Sequence, residues 1–199
     1  MMKAPSEFAK DYIGNLKSVL DRMPWDAVDR VLQVLEEAYQ KRSQVFVIGN
    51  GGSAATASHM MNDLCKGTVG HKGDAPWPRF RVLALTDNVA LMTAWANDTD
   101  YKTVFSEPLK TLALRGDVLV AISASGNSPN IIAAVEAAKQ IGMKVVGLAG
   151  FGGGKLAKMA DVAFVAVSDE YGPVEDVHMI LDHIITGYLY EKLKEANSK

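Results

Sequence analysis

Residues 45–64 read VFVIGNGGSAATASHMMNDL. The apolar run Val45 to Ile48 is too short for a helix and suits a buried parallel strand. Gly49, Gly51 and Gly52 then let the backbone turn tightly and approach a ligand closely. Ser53 is a residue type that caps a following helix, whose first N–H groups have no partner of their own. Strand, glycine turn and capped helix start aim backbone donors and the helix dipole at one point, which makes an anion site. Further along that helix His59 and Asp63 fall at i and i+4, on one face. The cradle for an anion therefore leads into a pair suited to acid–base work or metal binding.

Downstream, RVLALTD (81–87), DVLVAIS (117–123), KVVGLAG (144–150) and VAFVAVS (162–168) read as further strands. Helical stretches are expected over Asn88 to Ala96, Tyr101 to Leu114, Ile131 to Ile141, and Val174 to about Glu195. Gly67 to Pro78 reads as a loop. Strands alternating with helices predict an α/β fold, a three-layer sandwich around a flavodoxin-like five-stranded parallel sheet. Upstream, residues from about 4 to 42 predict two helices broken at Pro24. Val28, Val31, Leu32, Leu35 and Tyr39 form one apolar stripe there. These helices lie outside any βαβ unit, so the stripe must be covered by its own sheet or by a second subunit. The expectation is subunit packing. The chain is read as a single domain over 1–199, with helices for subunit contact in 1–43 and the α/β core in 44–199.

A length of 199 residues allows a full core, and 48% hydrophobic with 22% charged residues is ordinary for a globular protein. The net charge of −2 supplies no basic footprint for nucleic acid. No apolar run approaches the roughly 20 residues of a membrane span. The opening MMKAPSEFAKDY lacks the apolar core of a signal peptide. The one cysteine, Cys65, excludes an internal disulfide and suits a reducing compartment. Beside Asp63 it could suggest a nucleophile, but a small, buried apolar role fits such a residue better. The expected location is cytoplasmic.

In a sheet ordered 2-1-3-4-5, the first and third strands are neighbours from which the chain departs in opposite directions. Their carboxyl ends form the switch point where ligands bind. GNGGS and SASGNS emerge there, the turns richest in glycine and hydroxyl groups. The second supplies Ser123, Ser125 and Ser128, with Pro129 where a first-turn proline is tolerated. Hydroxyls and free backbone N–H groups hold a phosphate without lysine or arginine. Such residues also dominate plain turns, so one loop alone would mean little; both at the switch point point to a ligand. GxGxxG and GxxxxGK[ST] are absent, which weighs against nucleotides. FGGGK (151–155) is a third glycine loop whose Lys155 is expected only to begin a surface helix.

With both loops in view the chain resembles sugar isomerase (SIS) domains, and is similar in particular to the bacterial sedoheptulose 7-phosphate isomerases (phosphoheptose isomerases). The resemblance rests on GNGGSAATASHMMNDL, the ND of WANDTDYKTVFSEPL, GDVLVAISASGNSPNIIAA and EDVHMILDH, and runs from about Asp11 onward. It implies a homotetramer with the N-terminal helices at its centre. It implies that Asn50, Gly51, Gly52 and Ser53 line the substrate site together with Asn97, Asp98 and Glu175. Ser123, Ala124, Ser125 and Ser128 would hold the phosphate. His59, Asp63, Glu175 and His183 match zinc-ligand positions, and Asp63 and His183 match the acid–base pair.

Read without the resemblance, His59 and Asp63 share a helix face, while Glu175 and His183 lie on the last helix. Two histidines and two carboxylates are a reasonable zinc set. His178 and Asp182 lie on that helix too, which leaves open the face that points inward. The activity implied is aldose–ketose isomerisation through an enediol(ate), which needs a base of tuned pKa and an electrophile at the developing oxyanion.

Asp63 stands where the family has Glu, Glu175 where it has Gln, and Pro173 where it usually has Arg. The first draws a carboxylate back, the second adds a charge, and the third removes a cation. These departures fall on the chemistry and leave the phosphate loops intact. The competing reading is therefore a SIS protein without turnover, either a phosphosugar-binding module or an adaptor for a replication initiator.

Overall fold

The computed structural model describes residues 2–70 and 73–198. Five parallel strands form one sheet: β1 Gln44–Ile48, β2 Arg81–Ala84, β3 Val118–Ile122, β4 Lys144–Ala149 and β5 Val162–Val165. Their order is β2-β1-β3-β4-β5, as expected. The register pairs Val45 with Val118 and with Val82, so β1 sits centrally between two parallel neighbours. β1, β3 and β4 are apolar on both faces because both are covered. Val45, Val47, Val120 and Leu148 enter one core cluster, while Phe46, Ile48, Leu119 and Val145 enter the other.

The helices are α1 Pro5–Leu20, α2 Trp25–Gln40, α3 Gly52–Lys66, α4 Val89–Asp98, α5 Ser106–Leu112, α6 Pro129–Ile141, α7 Gly154–Met159 and α8 Tyr171–Asn197. Residues of α2, α3 and α8 fill the first cluster, and those of α5, α6 and α7 the second. The stretch expected as one helix over 101–114 divides into a 3-10 turn at Tyr101–Thr103 and α5. The last helix begins at Tyr171, ahead of Val174, because Pro173 falls within the first turn, where its missing N–H has no bond to lose. Among the described residues no helix is long and apolar enough to cross a membrane.

The N-terminal stripe is a correction. Val28, Val31, Leu32 and Leu35 are buried in the chain's own core beside Val45, Val120 and Phe164. α2 therefore covers its own sheet and offers no such face to a second subunit. α1 differs: of its residues only Val19 is buried, and Phe8 and Ile13 are exposed. Polar ties dock it on the start of α8. The Tyr12 hydroxyl donates to Asp176 at 2.5 Å, and Asn15 Nδ2 to Glu170 at 2.9 Å. The first bond helps push the Tyr12 phenol up to about 12.

Candidate active site

The loops leaving β1 and β3 lie side by side and are stitched together. Asn50 Nδ2 donates to Asn130 Oδ1 at 2.9 Å, and Asn130 Nδ2 returns a bond to Asn50 Oδ1 at 2.8 Å. The Tyr101 hydroxyl donates to the same Asn50 oxygen at 3.1 Å. Gly51 takes the cap position of α3 at φ 54°, a conformation that side chains rarely adopt. Ser53 is consequently inside the first turn of α3 and is not its cap. It lines a cavity of about 140 Å³ together with Asn50, Ser123, Ala124, Ser125, Ser128, Tyr171 and Glu175. The Ser123 and Ser128 hydroxyls are 3.2 Å apart. Among the described residues no lysine or arginine lines this cavity, and Glu175 is its one carboxylate.

Glu175 does not join the other three proposed metal residues. A Cβ added to Gly52 would lie 2.6 Å from Glu175 Oε2, so the carboxylate rests against the first residue of α3. From Glu175 to His183 the α8 backbone climbs about 12 Å at the helical rise. Zinc bonds of about 2.0–2.2 Å leave ligand atoms only a few ångströms apart, which this separation does not favour. His59, Asp63 and His183 do converge, with ligand atoms all within 4.8 Å. His59 Nε2 lies 3.5 Å from Asp63 Oδ2 and 3.3 Å from His183 Nε2. Two imidazole nitrogens and a carboxylate are ligand types that zinc accepts, and a fourth position stays open for water or substrate. The residues fit the ion.

Asn97 and Asp98 lie outside the cavity. They end α4, which has no buried residue, and Asn97 Nδ2 donates to Asp98 at 2.7 Å on the exposed surface. Cys65 is half-buried against the first core cluster, and burial pushes its thiol up, so it is a packing residue.

The glycine loop after β4, given no role from sequence, is the floor of the serine loop. Gly126 has φ 64°, and a Cβ there would meet Gly153 O at 2.1 Å. A Cβ on Gly154 would meet Ser125 O at 2.5 Å. Gly150 N donates to Ala124 O at 2.8 Å, Leu156 N to Gly126 O at 2.9 Å, and Lys155 N to Asn127 Oδ1 at 3.1 Å. Three glycines directly after a strand that neighbours β3 were the available signal.

Behind the trio, α8 buries His178 and Asp182. His178 Nε2 donates to Ala149 O at 3.1 Å, and burial lowers its ring to about 4. Asp182 is wholly buried; burial first, and the Asp63 charge second, push its carboxyl up to about 7.

A SIS-domain family model matches residues 11–150. A phosphoheptose isomerase of Sulfurimonas denitrificans is 38% identical over 166 residues, covering 83% of each chain. One from Helicobacter pylori is 33% identical over 80% of this chain and 81% of its own. The structure of phosphoheptose isomerase from Neisseria gonorrhoeae superposes with a TM-score of 0.85 at 28% identity, over 94% of this chain and 98% of that one. With the strand order, the serine loop and this likeness taken together, the chain belongs to the phosphoheptose isomerase family of SIS-domain proteins.

Proposed function

We propose that this chain interconverts sedoheptulose 7-phosphate and an aldoheptose 7-phosphate by proton transfer through an enediol(ate). The observation that carries this reading is the spacing of the two halves of the site. α3 leads from Ser53 to His59 and α8 from Glu175 to His183, about 9 and about 12 Å at the helical rise. A phosphate among Ser123, Ser125 and Ser128 would then lie one sugar's length from the trio. That geometry suits a long substrate anchored at one end and reacting at the other, with remote binding energy fixing the reacting carbons.

In this reading Asn50, Gly51, Gly52 and Ser53 form one wall of the sugar site, and Ala124 with the three serines forms the phosphate cradle. Asp63 would remove the proton from the carbon beside the carbonyl and return one to the neighbouring carbon, while His183 would move the proton between the two oxygens of the enediol(ate). His59, Asp63 and His183 would hold zinc, which when bound supplies an electrophile for the carbonyl. A trio of this kind has no use in a pure adaptor, which weighs against the non-catalytic reading. Asn97 and Asp98 would need a shift of α4, or a neighbouring subunit, to reach the sugar.

Exposed Phe8 and Ile13 on α1 support a homo-oligomer, here a homotetramer, that size exclusion with light scattering would measure. The lone cysteine fits a cytoplasmic setting.

The direct test is formation of aldoheptose phosphate from sedoheptulose 7-phosphate by the purified, zinc-supplemented protein. Turnover lost in Asp63→Ala and His183→Ala supports the reading. Tight phosphosugar binding with no turnover at any metal loading would replace it with a binding module.

A further inference from the structure

Four buried side-chain atoms among the described residues find no hydrogen-bond partner in the protein: His178 Nδ1, both oxygens of Asp182, and Thr186 Oγ1. All belong to one stripe of α8, at i, i+4 and i+8, one turn apart on a single face. Scattered orphans could be incidental; a contiguous column is a built feature. Buried polar groups are nearly always satisfied, and leaving a wholly buried carboxyl without a partner is strongly unfavourable.

The lower end of the column meets α3 beside the trio. A Cβ on Gly67 would lie 2.7 Å from Thr186 Cγ2 and 3.9 Å from the Asp63 Cβ, so both side chains border the same small space. Asp182 stands one turn before Thr186 on that face and next to His183 in the chain. Asp63 itself is loosely held, by Asn62 Nδ2 at 3.0 Å and His59 at 3.5 Å.

We propose that this stripe binds buried water and that Asp182 acts through it as a positioning residue for Asp63. One water can donate to Asp182 and to Asp63 while accepting from the Thr186 hydroxyl. A second can donate to the other Asp182 oxygen and to His178 Nδ1, the free acceptor of a ring whose Nε2–H is used on Ala149. Two waters thus satisfy all four atoms with donors and acceptors matched, as buried waters with two to four partners do. Asp63 then gains a fixed bond on the side away from His59, which orients the carboxylate toward the two imidazoles. The catalytic consequence rests on the isomerase reading; the water site does not.

The test is a pair of high-resolution crystal structures of the full chain, wild type and Asp182→Val, with kinetics on both. The expected result is ordered water touching Asp182, Thr186 and Asp63 in the wild type. In the variant that water is lost and Asp63 turns from His59, with kcat down about ten- to a hundredfold at little change in KM, as for residues supporting a ligand. Asp182→Asn, which keeps an acceptor oxygen, restores water and most of kcat. A dry stripe in the wild type, or an Asp63 unmoved in the variant, would overturn the proposal. Should Asp182→Val fail to fold, Thr186→Val removes a single hydroxyl at constant shape and carries the same comparison. A wild type without turnover would sink the isomerase reading and leave the crystallographic result to decide this one.

Discussion

The carboxylate of Glu175 is packed onto the first residue of α3, so close that a Cβ on Gly52 would lie 2.6 Å from its Oε2. The helix start expected to hold an anion is therefore already faced by a carboxylate of the chain's own, and in the proposed function the phosphate falls to the serine loop. A fixed negative group in a cavity proposed to receive a phosphate raises the cost of binding. Glu175→Gln should lower KM for the sugar phosphate several-fold, an effect of about 1 kcal/mol for partly screened charges a few ångströms apart. Steady-state kinetics at low and high salt would check it, since the difference should shrink as salt screens the repulsion. An unchanged or higher KM would mean that Glu175 serves the sugar directly.

The trio of His59, Asp63 and His183 should stand or fall together. His59→Ala and His183→Ala are each expected to abolish stoichiometric cobalt or zinc uptake, measured by titration of the metal-free protein. Turnover should fall by about a hundredfold to ten-thousandfold, the usual range for acid–base groups. Glu175→Ala should leave metal uptake intact, because its carboxylate lies at the other end of the site.

Gly126→Ala should be severely destabilising. The new methyl would meet the Gly153 carbonyl at 2.1 Å in a backbone conformation with φ 64°. Backbone strain and clash together place the loss at about 3 kcal/mol or more, read as a lowered urea midpoint at unchanged slope. Gly14→Ala, where an added Cβ meets nothing within 4 Å, is the matched control with a neutral or slightly stabilising outcome.

His178 should shape the acid limb of the stability curve. The native ring stays neutral down to about 4, whereas the unfolded chain protonates it near 6.5. Between those values the unfolded ring binds more protons, so the His178 contribution to stability falls as pH drops, by up to about 1.4 kcal/mol per pH unit, against the opposite contribution of the raised Asp182 carboxyl. Denaturant melts of wild type and His178→Gln between pH 4 and 7 would show the stability of the wild type fall relative to the variant as pH drops, the Asp182 contribution being common to both. A parallel pair of curves would refute it.

The sheet was legible because each central strand is a short apolar run bounded by glycine or charge, and a buried parallel strand needs nothing subtler. The meeting of the two glycine- and hydroxyl-rich loops was legible because GNGGS and SASGNS leave neighbouring strands at the switch point that the strand order predicts. Partnership was harder. The stripe of Val28, Val31, Leu32 and Leu35 announces that α2 is covered but not by what, and its own sheet proved to be the answer. Glu175 and His183 looked like one ligand set on one helix, yet the climb between them is long and Glu175 finds α3's first turn instead. The glycines at 152–154 follow a strand that neighbours β3, a signal that a backbone approaches there, but which loop it is depends on the fold and not on any local pattern.

The reciprocal amide pair of Asn50 and Asn130, with Tyr101 donating to the same Asn50 oxygen, has a mechanical consequence. It clasps the turn after β1, the start of α6 and the 3-10 segment beyond α4 into one body. A ligand settling among the serines would press on α6 through Ser128. The clasp would carry that displacement to Tyr101 and so to the exposed helix beside it. Occupancy of the cavity would then be felt on the outer surface of the molecule, far from any atom the ligand touches.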